Sequence, residues 1–495
     1  MGSIEATCGI DVGTQGVRAS VVSTAGVTLG AGAAPITSDH RDGRRHEQDP
    51  QQWWSALCSA VREAVAESAE VRITAVAIDA TSGTVLVERA DGSPAGPALM
   101  YDDTRAYEFA ERAQSTGQQL WSSLGYRIQP AWALPKVMWL QDAGALTSGD
   151  RVVHQSDHLV RRLVGSVVAT DTSHALKTGV DLRAAQWPTE IFHELAIPSS
   201  ILPEVALPAT EVGVVSAQAA SETGLTKGAA VRLGMTDGCA AQIAAGALGD
   251  GHWSSALGTT LVVKGSTKGL VLDPAGAVYC HRHPDGGWLP GGASSSGAAA
   301  VRDAFTEGQD LDALTKQAAG LGVIGGATYP LVGNGERFPF VAPDATGFLS
   351  DHATSDAAKF AAICQGIAYI ERLSYDVLAS LGADTSGPVS FTGGPTRNDW
   401  WNQLRCDLLG RPVQVPRQPH PSTGMAMLAA AAPGTLTETV ESMVEIDRSY
   451  EPDADRGEQL LAGYAELVTV LRDRGWLDEK AAGYALRQAG GETGE

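Results

Sequence analysis

The stretch Cys8-Gly9-Ile10-Asp11-Val12-Gly13-Thr14-Gln15-Gly16-Val17-Arg18-Ala19-Ser20-Val21-Val22 decides how the rest of the chain is read. Two short apolar runs flank a Gly-Thr turn, the pattern of a β-hairpin. The pattern returns in Trp253-Ser254-Ser255-Ala256-Leu257-Gly258-Thr259-Thr260-Leu261-Val262-Val263-Lys264. A repeat at roughly half the chain length predicts two related α/β halves, not a solenoid of short units. Around the first hairpin, a third strand is expected near 27–30, an amphipathic helix over 53–67, and strands over 71–79 and 84–88. Strands followed by helices continue to about 190, and 198–208 reads as loop. Residues 231–238 read as a strand running into a tight turn, with a short helix over 240–245. The glycine-rich stretch 246–251 marks the boundary between the halves. Beyond the second hairpin, helices are expected over 357–381, 399–409 and 423–431.

The turns carry chemistry as well as shape. Gly13 lets the backbone approach an anion closely. Successive N–H groups at such a turn form an anion nest, to which Thr14 and Gln15 add side-chain donors. Asp11, two residues earlier, can hold a divalent cation beside that anion. Gly258, Thr259 and Thr260 offer the same chemistry a second time. Each turn alone reads first as a plain tight hairpin; the pair with Gly-Thr at both tips favours a polyphosphate. Asp237 stands at a strand end, where ligands collect in open α/β sheets. It can take a proton from an attacking hydroxyl, or it can cap the following helix. Ser390-Phe391-Thr392-Gly393-Gly394-Pro395-Thr396-Arg397-Asn398 reads as strand, glycine turn and helix start, a place where a flat base can lie on bare backbone.

Composition sets the outer limits. The 495 residues carry 43% hydrophobic and 19% charged side chains, ordinary for a packed globular protein. With 36 basic and 57 acidic residues the formal charge is −21. Such a surface repels phosphate backbones and anionic lipid, so neither nucleic acid nor membrane is an expected partner. A phosphate site must then be local and built from backbone N–H groups. The six cysteines, at 8, 58, 239, 280, 364 and 406, include no C-x-x-C pair and read as reduced thiols of a cytoplasmic protein. No apolar run reaches the roughly 18 residues of a membrane helix. His281 and His283 alternate on an expected strand without further ligands, and read as a strand end in preference to a zinc site. Trp53 and Trp54 read as helix packing.

Taken in order, several motifs resemble the FGGY carbohydrate kinases. They are Gly9-Ile10-Asp11-x-Gly13-Thr14, Glu47-Gln48-Asp49-Pro50-x-x-Trp53-Trp54, Lys136-Val137-x-Trp139-Leu140, Gly234-x-x-Asp237-Gly238, Gly393-Gly394 with Asn398, and Gly410-Arg411-Pro412-Val413. The resemblance implies an α/β fold with two actin-like (ribonuclease H-like) domains and a cleft between them. It implies an N-terminal domain over 1–248 for sugar, first phosphate loop and catalytic Asp, and a nucleotide-binding domain over 249–487. A disordered tail is expected over 488–495. ATP and Mg²⁺ are the implied cofactors, a small sugar the implied partner, and a homodimer the assembly common in the family.

Within the family, Ile78-Asp79-Ala80-Thr81-Ser82-Gly83-Thr84, Ala175-Leu176-Lys177-Thr178-Gly179-x-Asp181 and Gly335-Glu336-Arg337-Phe338-Pro339 look like the D-ribulokinase branch. Bacterial xylulokinases typically carry Gln-Met-His where this chain has Thr81-Ser82-Gly83. The resemblance therefore points to ATP-dependent conversion of D-ribulose to D-ribulose 5-phosphate, with D-xylulose, another pentulose or a polyol as the alternative. It assigns Asp237 as catalytic base and Asp11 to Mg²⁺ and substrate. Thr81, Ser82, Gly83 and Asp103 fall to the sugar. Gly13, Thr14, Gln15, Gly258, Thr259 and Thr260 fall to phosphate, and Gly297, Gly393, Gly394 and Asn398 to adenosine. Three positions depart from the pattern: Pro395 for the third glycine of the usual turn, Tyr101 for Trp, and Ala133 for Ser, Thr or Pro. A reading of another class, a nucleotide- or sugar-binding regulator with weak chemistry, has Pro395 in its favour and the retained Asp11 and Asp237 against it.

Overall fold

The computed structural model describes residues 4–68, 71–306 and 308–490. The chain divides into two compact units. The first takes in Met1–Gly246, His281–Gly287 and Gln418–Glu445; the second takes in Ala247–Cys280, Trp288–Arg417 and Ile446–Glu495. The main boundary falls in the glycine-rich stretch expected to hold it. Two later segments, however, belong to the first unit, so a single cut into 1–248 and 249–487 misplaces them. Of the expected disordered tail, Gln488 instead closes the helix Glu479–Gln488, and 491–495 lie outside the described residues.

In the first unit, β1 (Ile4–Val12), β2 (Gly16–Ser23) and β3 (Thr28–Pro35) form an antiparallel meander. After helix α1 (Pro50–Glu67), strand β4 (Val71–Ala80) lies parallel to β1. Helix α2 (Ala133–Asp142) follows. Then β5 (Glu211–Val214) and β6 (Ala230–Thr236) complete the sheet in the order β5-β6-β4-β1-β2-β3. β6 runs parallel to β4 and antiparallel to β5, and α3 (Asp237–Ala244) leaves its carboxyl end.

The second unit repeats this plan. β7 (Trp253–Leu257), β8 (Leu261–Gly265) and β9 (Trp288–Ala293) form the meander. After the long helix α4 (Asp356–Ser380), β10 (Val389–Thr392) lies parallel to β7. Helix α5 (Asp399–Leu409) leads to β11 (Val413–Pro416), parallel to β10, and β12 (Ile446–Tyr450) is antiparallel to β11. Read from β3 and from β9, six strands in each sheet pair antiparallel, antiparallel, parallel, parallel, antiparallel; the second sheet has seven strands in all. The repeat of the Gly-Thr hairpin is thus a repeat of a whole sheet.

Local chemistry explains the elements that position the site. Asp49 starts α1 by accepting the Gln51 N–H at 2.9 Å, and Pro50 sits in the first turn, where its missing N–H costs nothing. Trp53, Leu57, Ala60, Val61 and Ala64 bury one face of the helix in the core of the first unit. On β1, a helix later in the chain, Pro421–Ala430, fixes the motif glycine. A Cβ on Gly9 would lie 1.8 Å from the Ser422 carbonyl oxygen. The Thr7 hydroxyl donates to Ala426 O at 2.7 Å, and Ser20 and Ser422 share a hydrogen bond of 2.8 Å. Gly9→Ala is therefore expected to cost about 2–3 kcal/mol and lower the melting temperature by about 3–5 °C, measured by differential scanning calorimetry.

Candidate active site

Three carboxylates gather at the carboxyl ends of the parallel strands of the first unit. Asp11 on β1 stands in register with Asp79 on β4. Asp237 opens α3 directly after β6. Gly234 lets β6 run close beside β4, because a Cβ there would meet Ile78 O at 2.0 Å. Asp11 is buried, with Arg18 Nη1 3.6 Å from its Oδ2. Burial raises its pKa, and the nearby Asp237 charge adds to the rise. Asp79 is wholly buried, and its pKa stands well above the ordinary carboxylate range through desolvation and the charges of Asp11 and Asp237. No N–H or O–H among the described residues reaches either Asp79 oxygen. The charge of the neighbouring Asp11 carboxylate further disfavours ionisation of Asp79.

Asp237 differs from both. It is exposed, and its Oδ1 accepts the N–H of its neighbour Gly238 at 2.7 Å. It is the first residue of α3 and not its cap; Thr236 holds the cap position. The second oxygen is available to a hydroxyl. As for a metal, Asp11 supplies a hard oxygen donor suited to Mg²⁺. Among the described residues no cluster of three or more metal-ligating side chains encloses an ion. Asp11 would hold a Mg²⁺ ion here, and the ion would supply charge neutralisation to a phosphate beside it.

The first Gly-Thr turn closes with Gly13 N–H on Gly16 O at 3.0 Å. Gln48 fixes it from behind: its Nε2 donates to Thr14 O at 2.8 Å, and its Oε1 accepts the Trp53 indole N–H at 2.8 Å. The Glu47-to-Trp54 motif therefore serves the turn. Gly13, Thr14 and Gln15 line a cavity of about 680 Å³ with Arg18, Arg41 and Tyr101. Arg41 was not singled out in the sequence, where no local signal marks it.

Thr81, Ser82 and Gly83 follow β4 in a fixed turn. Gln155 Oε1 accepts the Thr81 hydroxyl at 2.8 Å, and Thr81 and Thr84 share a hydrogen bond of 2.6 Å. Gly83 has φ of +98°, a conformation suited to glycine. Asp103, expected at the sugar, is instead fully buried. Its carboxylate accepts the His46 N–H at 2.8 Å and holds Arg105 through Nε and Nη2, while Arg105 Nη1 reaches Glu47 at 2.7 Å. A carboxylate so occupied organises the loop and leaves no oxygen for a substrate.

In the second unit, Gly258 N–H closes the other Gly-Thr turn on Thr260 O at 3.0 Å. Thr259 Oγ1 accepts from Arg302 at 2.7 Å. Gly258, Thr259, Gly394, Pro395 and Asn398 line one cavity of about 550 Å³. Its wall also holds Arg302, Thr315, Phe360, Arg397 and Trp401, which sequence patterns do not mark. Gly393 has φ of +95°, and a Cβ would meet Leu257 O at 2.1 Å; Gly394 faces open space. Pro395 lies at the start of a short 3₁₀ turn, Gly394–Arg397, where its missing donor is not needed. Asn398 caps α5 through Oδ1 on the Trp401 N–H and donates Nδ2 to Thr315 at 2.9 Å. Gly297, expected at adenosine, packs closely on the Gly258–Thr260 turn, since a Cβ would lie 2.5 Å from Thr259 O.

Other features are structural. His281 bonds Ser173 Oγ at 2.9 Å, and His283 Nδ1 accepts the Asp285 N–H at 3.0 Å. All six cysteines are buried and free. Among the described residues no helix is long and apolar enough to cross a membrane.

Comparison with known proteins shows the family. The N-terminal domain model of the FGGY family of carbohydrate kinases matches residues 6–244, and the C-terminal domain model matches 255–432. A xylulose kinase from Streptomyces rubiginosus is 30% identical over 96% of this chain and 98% of its own length. A gluconate kinase structure from Lactobacillus acidophilus superposes with TM-score 0.85 at 19% identity, covering 95% of this chain and 98% of that one. A xylulose kinase structure from Rhodospirillum rubrum gives 0.83 at 22% identity, covering 95% and 99%. With two family domains matched in order and a full-length relative at this identity, the chain belongs to the FGGY family of carbohydrate kinases.

Proposed function

We propose that this protein transfers the γ-phosphoryl group of ATP to the terminal hydroxyl of a ketopentose, with D-ribulose the first expectation. The observation that carries the reading is the exposed Asp237 carboxylate beside the buried pair Asp11 and Asp79 at the strand ends. Asp237 accepts the hydroxyl proton as the sugar oxygen attacks phosphorus. The P–O bond to the β-phosphate breaks, ADP leaves, and the proton passes from Asp237 to solvent. Within the first unit the Gly13–Gln15 turn, and within the second the Gly258–Thr260 turn, are the segments this reading assigns to phosphate. Mg²⁺ held through Asp11 supplies charge neutralisation on those oxygens when bound. The cavity lined by Gly394, Asn398, Phe360 and Trp401 supports adenosine by its apolar walls and flat glycine floor.

The preference for D-ribulose rests on the small turn Thr81-Ser82-Gly83. D-xylulose is the second reading, favoured by the full-length likeness to a protein named xylulose kinase. Sugar-dependent ADP release across ketopentoses, hexuloses and polyols separates the two. Highest kcat/KM on D-ribulose supports the first reading, and highest kcat/KM on D-xylulose replaces it with the second. ATP binding without turnover on any acceptor overturns both and favours a regulator.

A further inference from the structure

The family-like motif Lys136-Val137-x-Trp139-Leu140 finds no use in the chemistry above, yet its lysine is placed unusually. Lys136, on α2, is wholly buried. Its ammonium donates to Gly83 O at 3.0 Å and to Met100 O at 2.5 Å. A second lysine, Lys177, donates to Ser82 O at 2.9 Å, and its stem covers Gly83, where a Cβ would meet Lys177 Cδ at 3.0 Å. Two ammonium groups therefore hold consecutive carbonyls of one three-residue turn. Neither forms an ion pair with a carboxylate among the described residues. Burying an ammonium on neutral carbonyls is costly, and an apolar side chain would fill the same space without that cost. What the charge adds is direction: it fixes two carbonyl oxygens at once. Met100 leads into Tyr101, which lines the cavity at the first Gly-Thr turn. Lys136 thereby ties the Thr81–Gly83 turn to the Tyr101 segment. Between them the Ser82 hydroxyl is buried and has no hydrogen-bond partner among the described residues.

We infer that Lys136 and Lys177 are positioning residues for the acceptor sugar, clamping the Ser82 and Gly83 carbonyls so that the Ser82 hydroxyl meets a sugar hydroxyl. The inference rests on the proposed reading in which Thr81–Gly83 faces the sugar. It carries a pH signature. Burial brings the Lys136 pKa down to about 7; Asp103 and Asp102 hold the proton on, while Lys177 and Arg105 push it off. Below that pH the ammonium makes charge-assisted bonds to both carbonyls, and above it the neutral amine holds them more weakly. The sugar KM should be flat below pH 7 and rise roughly three- to tenfold between pH 7 and 9, with the ATP KM unchanged.

The test is steady-state kinetics from pH 6 to 9 with D-ribulose and D-xylulose, for wild type, Lys136→Met, Lys177→Met and Ser82→Val. Lys136→Met is expected to raise the sugar KM about tenfold or more at pH 6.5, to leave kcat within about threefold, and to abolish the pH dependence of KM. Lys177→Met should raise the sugar KM while keeping the pH dependence, because Lys136 remains. If Lys136→Met fails to fold, the wild-type profile and Lys177→Met still decide the matter. A wild-type sugar KM that is flat through pH 7–9, or lysine variants that keep the wild-type sugar KM, overturns the inference. Should Ser82→Val then still raise the sugar KM, the sugar-facing turn stands and only the clamp fails. Should Ser82→Val also leave KM unchanged, the reading of Thr81–Gly83 fails with it.

Discussion

Asp237→Asn is expected to lower kcat for sugar phosphorylation by about a thousandfold or more while ATP still binds, because a positioned general base contributes about 10²–10⁴-fold and the amide cannot accept the proton. Asn keeps the shape of the side chain and can still accept the Gly238 N–H that Asp237 Oδ1 accepts at 2.7 Å, so the start of α3 should persist. The residue is exposed and outside the core, and the melting temperature should change little. Asp237→Ala should act alike on kcat. Rapid-quench measurement of sugar phosphate, beside calorimetric titration with ADP, separates chemistry from binding. Turnover within tenfold of wild type would sink the assignment of Asp237 as base. The alternative role of a helix cap already has less to stand on, since Thr236 occupies that position.

How much of this site was legible in the sequence depends on how local each signal is. The two hairpins were legible because apolar runs and a Gly-Thr tip lie within about fifteen residues, and the structure extends them into two sheets of one plan. Asp237 was legible for the same reason, as a strand, a turn and a helix start in succession. Asp79 was quoted only within a branch motif. Its bearing on Asp11 follows from the parallel register of β4 against β1, a pairing between distant segments that no local pattern encodes. The return of Pro421–Ala430 to the first unit was missed for a different reason. That helix is buried from Ser422 to Ala429 with no polar stripe, so periodicity shows a buried helix but not what buries it. Asp103 shows the limit of carrying roles by motif, since its carboxylate is filled by Arg105 and His46.

The nucleotide side turns on a residue that motif reading left without a role. Glu336 is buried, and its carboxylate accepts from Ser294 Oγ at 3.0 Å, Ser295 N–H at 2.6 Å, Ser296 Oγ at 3.2 Å, Tyr329 OH at 2.9 Å and Arg337 N–H at 3.0 Å. The Ser294–Ser296 segment in turn brackets Leu261, with Ser294 N–H on Leu261 O and Leu261 N–H on Ser296 O, both at 2.8 Å. The residues after it donate to the second Gly-Thr turn itself: Ala298 N–H to Gly258 O at 2.9 Å and Ala299 N–H to Thr259 O at 3.2 Å. Glu336 thus reaches the second Gly-Thr turn through one continuous set of bonds. Removing it leaves several buried donors unsatisfied, each costing about 1–3 kcal/mol. Glu336→Ala is therefore expected to raise the ATP KM more than about tenfold and to lower the melting temperature, with the sugar KM near wild type. Glu336→Gln keeps two of the acceptor lone pairs but turns an N–H₂ toward other donors, and should fall between. Titration of ADP into each folded variant gives the direct readout. Wild-type nucleotide affinity in a folded Glu336→Ala protein would show that the Gly258–Thr260 turn holds its shape without this carboxylate, and that its own backbone bond from Gly258 N–H to Thr260 O suffices.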